Sequence, residues 1–450
     1  MSTIYEKQAQ VLKSVFTAAL EEMQPAHRIR EFVAMGSDGS NPLLKIGGQS
    51  FPLNKKRANV WVLGAGKAAA EMAGALEQIL GSYLRDGLII VPYNTEQRTK
   101  RIQQFEAAHP ISNPDSVAAG YEMTKFAQSI PADDIVLFVL SGGTSALMEL
   151  PAGKLDIDDI QQTQQLLLKS GASIHEMNTV RKHISDIKGG QLLHHFGNIT
   201  LLDLVISDVP DDRLDSIGSG PTVTDPTTFT DTFHILKEYK LWEQIPHDVR
   251  AHIAKGMHGN YPETLKPGLD SLKEKHRTFL VSSASQLAQK AGNLLRDEGF
   301  NTHIAEKAYD DDVRKVARKI SGEAVSVLSR NEPVKKPAAM VFFGESTVNV
   351  TGDGLGGRNQ ELALAAALSI EGQHHITMLS AGTDGKDGPT DAAGAVCNAS
   401  TILDARKANM EPEKFLQNND AYHFFEQAGG LLKIGATGNN LMDLELVLIE

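Results

Sequence analysis

The chain is short of cysteine, of long apolar runs and of basic charge, and each shortage removes a class of protein. Among 450 residues the one cysteine is Cys397, so neither a disulfide framework nor a CxxC zinc site can be built. No apolar stretch approaches the roughly 18 residues of a membrane span. The opening Met1-Ser-Thr-Ile-Tyr-Glu-Lys is polar and starts an amphipathic helical pattern, unlike the basic and apolar regions of a secretory signal. No membrane partner is expected, and the expected location is the cytoplasm. Lys and Arg number 44 against 56 Asp and Glu, a net charge of −12. The chain therefore lacks the electrostatic footprint of a nucleic-acid binder, and an anion must be held by a few local cations and backbone amides.

What is present is an ordinary globular composition, 41% hydrophobic and 22% charged, at a length that suggests two or three domains. Short apolar runs alternate with helical patterns. Strands are expected at Asn59–Gly64, Gly87–Pro92, Asp134–Leu140 and Leu201–Ser207, with helices at Lys67–Leu80, Ser116–Ile130 and Asp156–Ser170. Unalternating strands separated by helices predict a parallel α/β sheet covered on both faces. From about 236 to 278 the pattern turns polar and helical, which places a boundary near 240 and predicts domains over 1–240 and 241–450. Alternation then resumes, with strands expected at Thr278–Ser282, Ala338–Phe343, Ser346–Val350 and Ile376–Ser380, and helices at Ala284–Glu298, Val313–Ser329 and Asn359–Ser369.

In such folds ligands sit beyond the C-terminal ends of strands, and six loops at or near such ends carry chemistry. Gly64-Ala-Gly-Lys67 puts a cation at a helix start, where the dipole disfavours it unless an anion is present. Walker A is not matched, and no acid follows Val91 to hold a ribose. Ser141-Gly142-Gly143-Thr144-Ser145 suits an anion nest. Asn178-Thr-Val-Arg181-Lys-His gathers basic residues. Ser207-Asp208-Val-Pro-Asp-Asp, with Gly218-Ser-Gly-Pro, offers carboxylates for a divalent ion or a base. Gly344-Glu345-Ser-Thr and Gly356-Gly357-Arg358-Asn359-Gln-Glu bring an Arg whose planar fork suits phosphate. Thr383-Asp384-Gly-Lys-Asp-Gly has three nearby Asp but no EF-hand spacing, and Thr437-Gly-Asn-Asn440 adds a polar loop. Taken singly, each is also compatible with a plain turn or a solvated charge. Together they describe a cleft with Lys, Arg, carboxylates and many amides, an inventory that matches phosphoryl transfer.

With His109-Pro-Ile-Ser-Asn-Pro-Asp and Ser219-Gly-Pro, these motifs run in order through nearly the whole chain and resemble the type-2 glycerate kinase family, whose C-terminal half is the MOFRL domain. The resemblance implies an N-terminal Rossmann-like parallel α/β/α sandwich and a C-terminal α/β MOFRL domain, with the active site in the cleft between them. It implies ATP- and Mg²⁺-dependent phosphorylation of D-glycerate, or a related hydroxy acid, at the 2-hydroxyl. It places the important Lys and Arg on Lys67 and Arg358 and the acidic residues on Asp208, Glu345 and Asp384, with Asp208 and Asp384 as the Mg²⁺ candidates. Substrate or nucleotide contacts are expected from Gly64, Gly66, Ser141, Gly142, Gly143, Thr144, Ser145, Asn178, Arg181, Gly356, Gly357, Asn359, Thr437 and Asn440. Two departures are visible: Asp211 replaces a usual Gly, and Ser283-Ala284-Ser285 stands where Asn is common. The alternatives are an NAD(P)H-dependent hydroxypyruvate reductase and a non-catalytic sugar-phosphate-binding regulator. Assembly into a homo-oligomer is left open. Domain closure on a hinge near Gly256 or Gly259, within 236–278, is a further expectation.

Overall fold

The computed structural model describes residues 4–54, 56–57, 59–269 and 274–450. They divide into two compact units. One comprises Pro25–Ser207 and Asp212–Val281; the other comprises Met1–Gln24, Asp208–Asp211 and Ser282–Glu450.

The first unit opens with a small antiparallel meander of β1 (Val33–Asp38), β2 (Asn41–Ile46) and β3 (Gln49–Pro52). Its main sheet holds β4 (Val60–Ala65), β5 (Leu84–Pro92), β6 (Ile102–Ala107), β7 (Ile135–Leu140), β8 (Thr200–Ile206) and β9 (His276–Ser282). The spatial order is β6-β5-β4-β7-β8-β9, and the pairs β6–β5, β5–β4, β4–β7 and β7–β8 are all parallel. Every residue of β4 and β7 is buried, as expected of strands covered on both faces. Counted from β4, the first five strands run 3-2-1-4-5, a doubly wound order. The order reverses between β4 and β7. In open α/β sheets ligands bind beyond the strand ends at such a point.

The second unit has a mixed sheet. Its strands are β10 (Asn301–Ile304), β11 (Ala338–Gly344), β12 (Ile376–Gly382), β13 (Gly394–Asn398), β14 (Leu431–Leu432) and β15 (Asp443–Ile449), ordered β10-β11-β15-β12-β13-β14. β15 pairs antiparallel with both β11 and β12, so a late segment occupies the middle of the sheet. The core there is built from the helices Val313–Arg330 and Arg358–Ser369 against β11, β12 and β15.

Three expectations change. The expected strand Ser346–Val350 is not one. Only Thr347 forms a bridge, to Asp312, and Val350 is 71% exposed, so nothing there rewards an extended pairing. The compact units change over at 281/282 rather than near 240. The polar-looking stretch belongs to the first unit because its sparse apolar residues Leu236, Leu241, Ile245, Val249 and Ile253 join Ile160, Val180 and Phe229 in one cluster. The hinge site falls with it. Gly256 lies inside the helix His247–Met257, where a Cβ would meet the Phe229 ring at 2.4 Å, and the chain passes between units at 24/25, 207/208, 211/212 and 281/282 instead. Residues 270–273 of the expected hinge stretch, and Met1 to Thr3 of the first helical pattern, lie outside the described residues.

Candidate active site

In the first unit the loops after β4 and β7 meet backbone to backbone. The Lys67 N–H donates to the Gly142 carbonyl at 2.9 Å and the Ser141 N–H to the Ala65 carbonyl at 3.2 Å. Ser141 Oγ accepts the Ala68 N–H at 3.1 Å, and Thr144 Oγ1 donates to the carbonyls of Ala65 and Ser141, both at 2.8 Å. The glycines permit this approach. A Cβ on Gly64 would lie 2.0 Å from the Val139 carbonyl oxygen, and one on Gly66 would lie 2.1 Å from Ser141 Oγ. Both have positive φ, 153° and 133°, where only glycine is at ease. Ser141 and Thr144 thus hold the loops together, while Lys67 is left exposed at the switch point, two residues before the helix Ala69–Leu80.

Sequence reasoning gave no role to His109, which follows the edge strand β6. Gly143 lies against its ring and the Lys67 stem, since a Cβ there would be 3.0 Å from His109 Cδ2 and 3.3 Å from Lys67 Cγ. Burial and the Lys67 charge push the imidazole down to about 4, so it is neutral near pH 7. The signal was present in the His-Pro motif, but no spacing rule brings an edge-strand loop across to the first strand.

On the β8 side of the same loop lie Ser145, Ser219, Asn178 and Arg181. Ser145 Oγ and Ser219 Oγ are 2.8 Å apart, and Ser219 Oγ donates to Asn178 Oδ1 at 3.3 Å. Arg181 Nη1 reaches the same Oδ1 at 3.3 Å. Gly218, Ser219 and Gly220 all have positive φ, 59°, 61° and 57°. For Ser219 this conformation costs on the order of 1–2 kcal/mol.

The second unit centres on Arg358, the first residue of its helix. The anion expected to meet it is supplied by the chain. Asp443, the first residue of β15, takes Nε at 2.6 Å and Nη2 at 3.0 Å, and Glu345 takes Nη1 at 2.5 Å. Asp443 is fully buried; burial holds its carboxyl above the usual carboxylate range even though the Arg358 guanidinium pulls against it. The free N–H groups of the helix are met internally as well, Asn359 and Gln360 donating to Asp387 at 3.0 and 2.8 Å. Gly357 makes room, since a Cβ would sit 2.3 Å from the Asp387 carboxyl carbon. Burial raises Asp387 to about 6 despite those N–H donors. Asn359 reaches Asp443 Oδ1 at 2.9 Å and accepts from Ser380 at 2.9 Å, and Ser380 donates to Glu445 at 3.0 Å. Gly356 packs near Asn419 and Ala421.

Asp384 is exposed just beyond β12, with Oδ1 taking the Lys386 N–H at 3.0 Å. Its own carbonyl accepts the Thr437 N–H, and Thr437 Oγ1 donates to the Thr383 carbonyl at 2.5 Å. Asn440 Oδ1 accepts the Met442 N–H at 3.4 Å. Asp208 and Asp211 group with this unit, so the structure brings Asp208, Glu345, Arg358 and Asp384 into one unit and Lys67, Asn178 and Arg181 into the other. Ser283, one of the two departures, caps the helix Ala284–Asp297. Among the described residues no three His, Cys, Asp or Glu are grouped to hold a metal. Mg²⁺ that keeps waters and phosphate oxygens needs only one or two carboxylates, and the hard oxygens of exposed Asp384 fit that demand.

A doubly wound sheet with a cationic loop at its switch point, in a chain whose second unit gathers carboxylates around an arginine, is the architecture of an α/β enzyme. Two family models match the chain, the domain of unknown function DUF4147 over residues 11–254 and the MOFRL family over 338–443. The glycerate 2-kinase of Pyrococcus horikoshii is 38% identical over 91% of each chain. A crystal structure of the glycerate kinase of Thermotoga maritima superposes with a TM-score of 0.85 at 34% identity, covering 99% of this chain and 100% of that one. A relative from Agrobacterium vitis, 36% identical over 88% of each chain, carries hydroxypyruvate reductase as a provisional name. The chain belongs to the glycerate kinase family that joins these two regions. Among the described residues no helix is long and apolar enough to cross a membrane.

Proposed function

We propose that the protein transfers the γ-phosphoryl group of ATP to the 2-hydroxyl of D-glycerate, giving 2-phosphoglycerate and ADP. The observation that carries the reading is exposed Lys67 at the β4/β7 switch point, in a chain matched over 91% of its length by a glycerate 2-kinase. In the reaction the bond from the glycerate O2 to phosphorus forms as the bond to the β-phosphate oxygen breaks, and the hydroxyl proton passes to a base. Little covalent chemistry is asked of the protein; it positions the groups and neutralises charge. Lys67 supplies one cation and Arg358 the other. Asp443 fixes two edges of the Arg358 fork, so an incoming phosphoryl oxygen has to compete only with Glu345 at Nη1. Asp208 and Asp384 divide proton acceptance and Mg²⁺ binding, and the ion would supply charge neutralisation on the phosphate oxygens. The reaction is assigned to the cytoplasm, with glycerate and ATP as its small-molecule partners.

The reductase reading lacks its ribose-holding acid, because β5 runs out into Pro92-Tyr93-Asn94. The test is direct. Protein mixed with D-glycerate and Mg-ATP should release ADP and 2-phosphoglycerate, and should leave NADH untouched when given hydroxypyruvate. NADH consumption without ADP release would reverse the assignment.

A further inference from the structure

Arg181 stands out among the cations of the first unit. It is partly buried, its Nε is buried without a hydrogen-bond partner, and its one side-chain hydrogen bond among the described residues goes to the neutral Asn178. Its neighbours are already committed. Lys188 and Glu149, each 1% exposed, pair with one another. Lys182 pairs with Asp225 at 2.8 Å and with Asp215 at 3.5 Å, and Asp215 also holds Arg213 at 2.9 Å. One positive charge therefore remains in a largely desolvated place without a counter-ion of its own, since Glu149 is already paired with Lys188. That is unfavourable in the ligand-free protein and is relieved by an anion. Burial alone pulls the guanidinium down, against the weaker pull of Glu149.

Resting on the kinase reading, we infer that Arg181, Asn178, Ser145 and Ser219 form the subsite for the carboxylate of the acceptor 2-hydroxy acid. A carboxylate and a phosphate could both satisfy a guanidinium fork. The carboxylate is favoured because the set offers one uncompensated cation, two hydroxyls and an amide, which balances a single negative charge. A nucleotide triphosphate would bring several charges to that one cation. Placement agrees. The loop Ser141–Ser145 has Lys67 and His109 on one side and Ser219, Asn178 and Arg181 on the other. An acceptor seated across it keeps its carboxylate at Arg181 while its hydroxyl faces the Lys67 side. Ser219 is held in a left-handed conformation at φ 61°, which fixes its hydroxyl against Ser145.

The experiment titrates D-glycerate and ATP separately, by calorimetry, into wild type, Arg181→Gln, Arg181→Lys and Ser145→Ala. Arg181→Gln should weaken D-glycerate about 10²-fold and leave ATP within about twofold, the scale of a desolvated charged contact. Arg181→Lys should fall between, because a point charge does not replace the fork. Ser145→Ala, which keeps the charge, should lose about tenfold for D-glycerate. Loss of ATP with D-glycerate retained would give the subsite to a phosphate and overturn the inference; unchanged binding of both would also overturn it. Should Arg181→Gln fail to fold, selectivity for glycerate over its uncharged amide decides: wild type should prefer the acid by about 10²-fold, and Ser145→Ala should narrow that ratio. A wild type that binds glycerate through Arg181 without phosphorylating it would sink the kinase reading alone. A competent kinase whose glycerate KM ignores Arg181→Gln would sink the subsite alone.

Discussion

At the scale of single residues the two expected cations are held in opposite ways, and their variants should differ accordingly. Lys67 is exposed, so Lys67→Ala should lower turnover by about 10³-fold, as for charged contacts in phosphoryl transfer, with little change in melting temperature. Arg358 is partly exposed but pairs with the buried carboxylate of Asp443, so Arg358→Ala should lose comparable turnover and also destabilise the second unit by about 1–3 kcal/mol, since it strands that carboxylate. Steady-state kinetics and denaturant melts on both variants check the contrast. His109 gives a pH readout. Burial and the Lys67 charge hold it at about 4, below the usual 6.5, so its neutral form favours the folded state above pH 6.5. That contribution is lost as pH falls from 6.5 through 4. The His109→Gln variant should therefore show a flatter stability profile across this window. In Lys67→Ala, NMR should find the His109 titration moved upward, because one of its two causes is gone.

At the scale of elements, the glycines after β4 act as spacers. Gly66→Ala would drive a methyl to within 2.1 Å of Ser141 Oγ, so the β4 and β7 loops must part. The cost should be about 1–3 kcal/mol, read from urea melts, together with a loss of activity larger than the destabilisation explains. Much of this element structure was legible. The all-apolar β4 and β7, the largely apolar β8 and the helix Arg358–Ser369 fall within two residues of the sequence expectation, because buried runs and glycine stops are local signals. β15 was not legible. Asp443-Leu-Glu-Leu-Val-Leu-Ile alternates like a half-exposed strand, yet every residue is buried, because Asp443 and Glu445 are absorbed by Arg358, Asn359 and Ser380. For the same reason the candidate site read from sequence lacked Asp443 and Asp387. Both are carboxylates whose partners lie 27 to 85 positions away, beyond the reach of any spacing rule.

At the scale of the whole molecule, the chain passes between its two units four times, at 24/25, 207/208, 211/212 and 281/282. The placement of β15 between β11 and β12 has a consequence for how the protein comes into being. While the chain is being synthesised, β11 can join β10 and β12 can join β13, but β11 and β12 do not pair with each other. Their facing edges stay open, and sticky, until the residues from Asp443 onward have been made. The first unit's sheet needs nothing beyond β9 and can be complete by then. The growing chain should thus carry one finished half and one waiting half, and holdase chaperones should bind nascent chains that extend past β12 but stop short of β15.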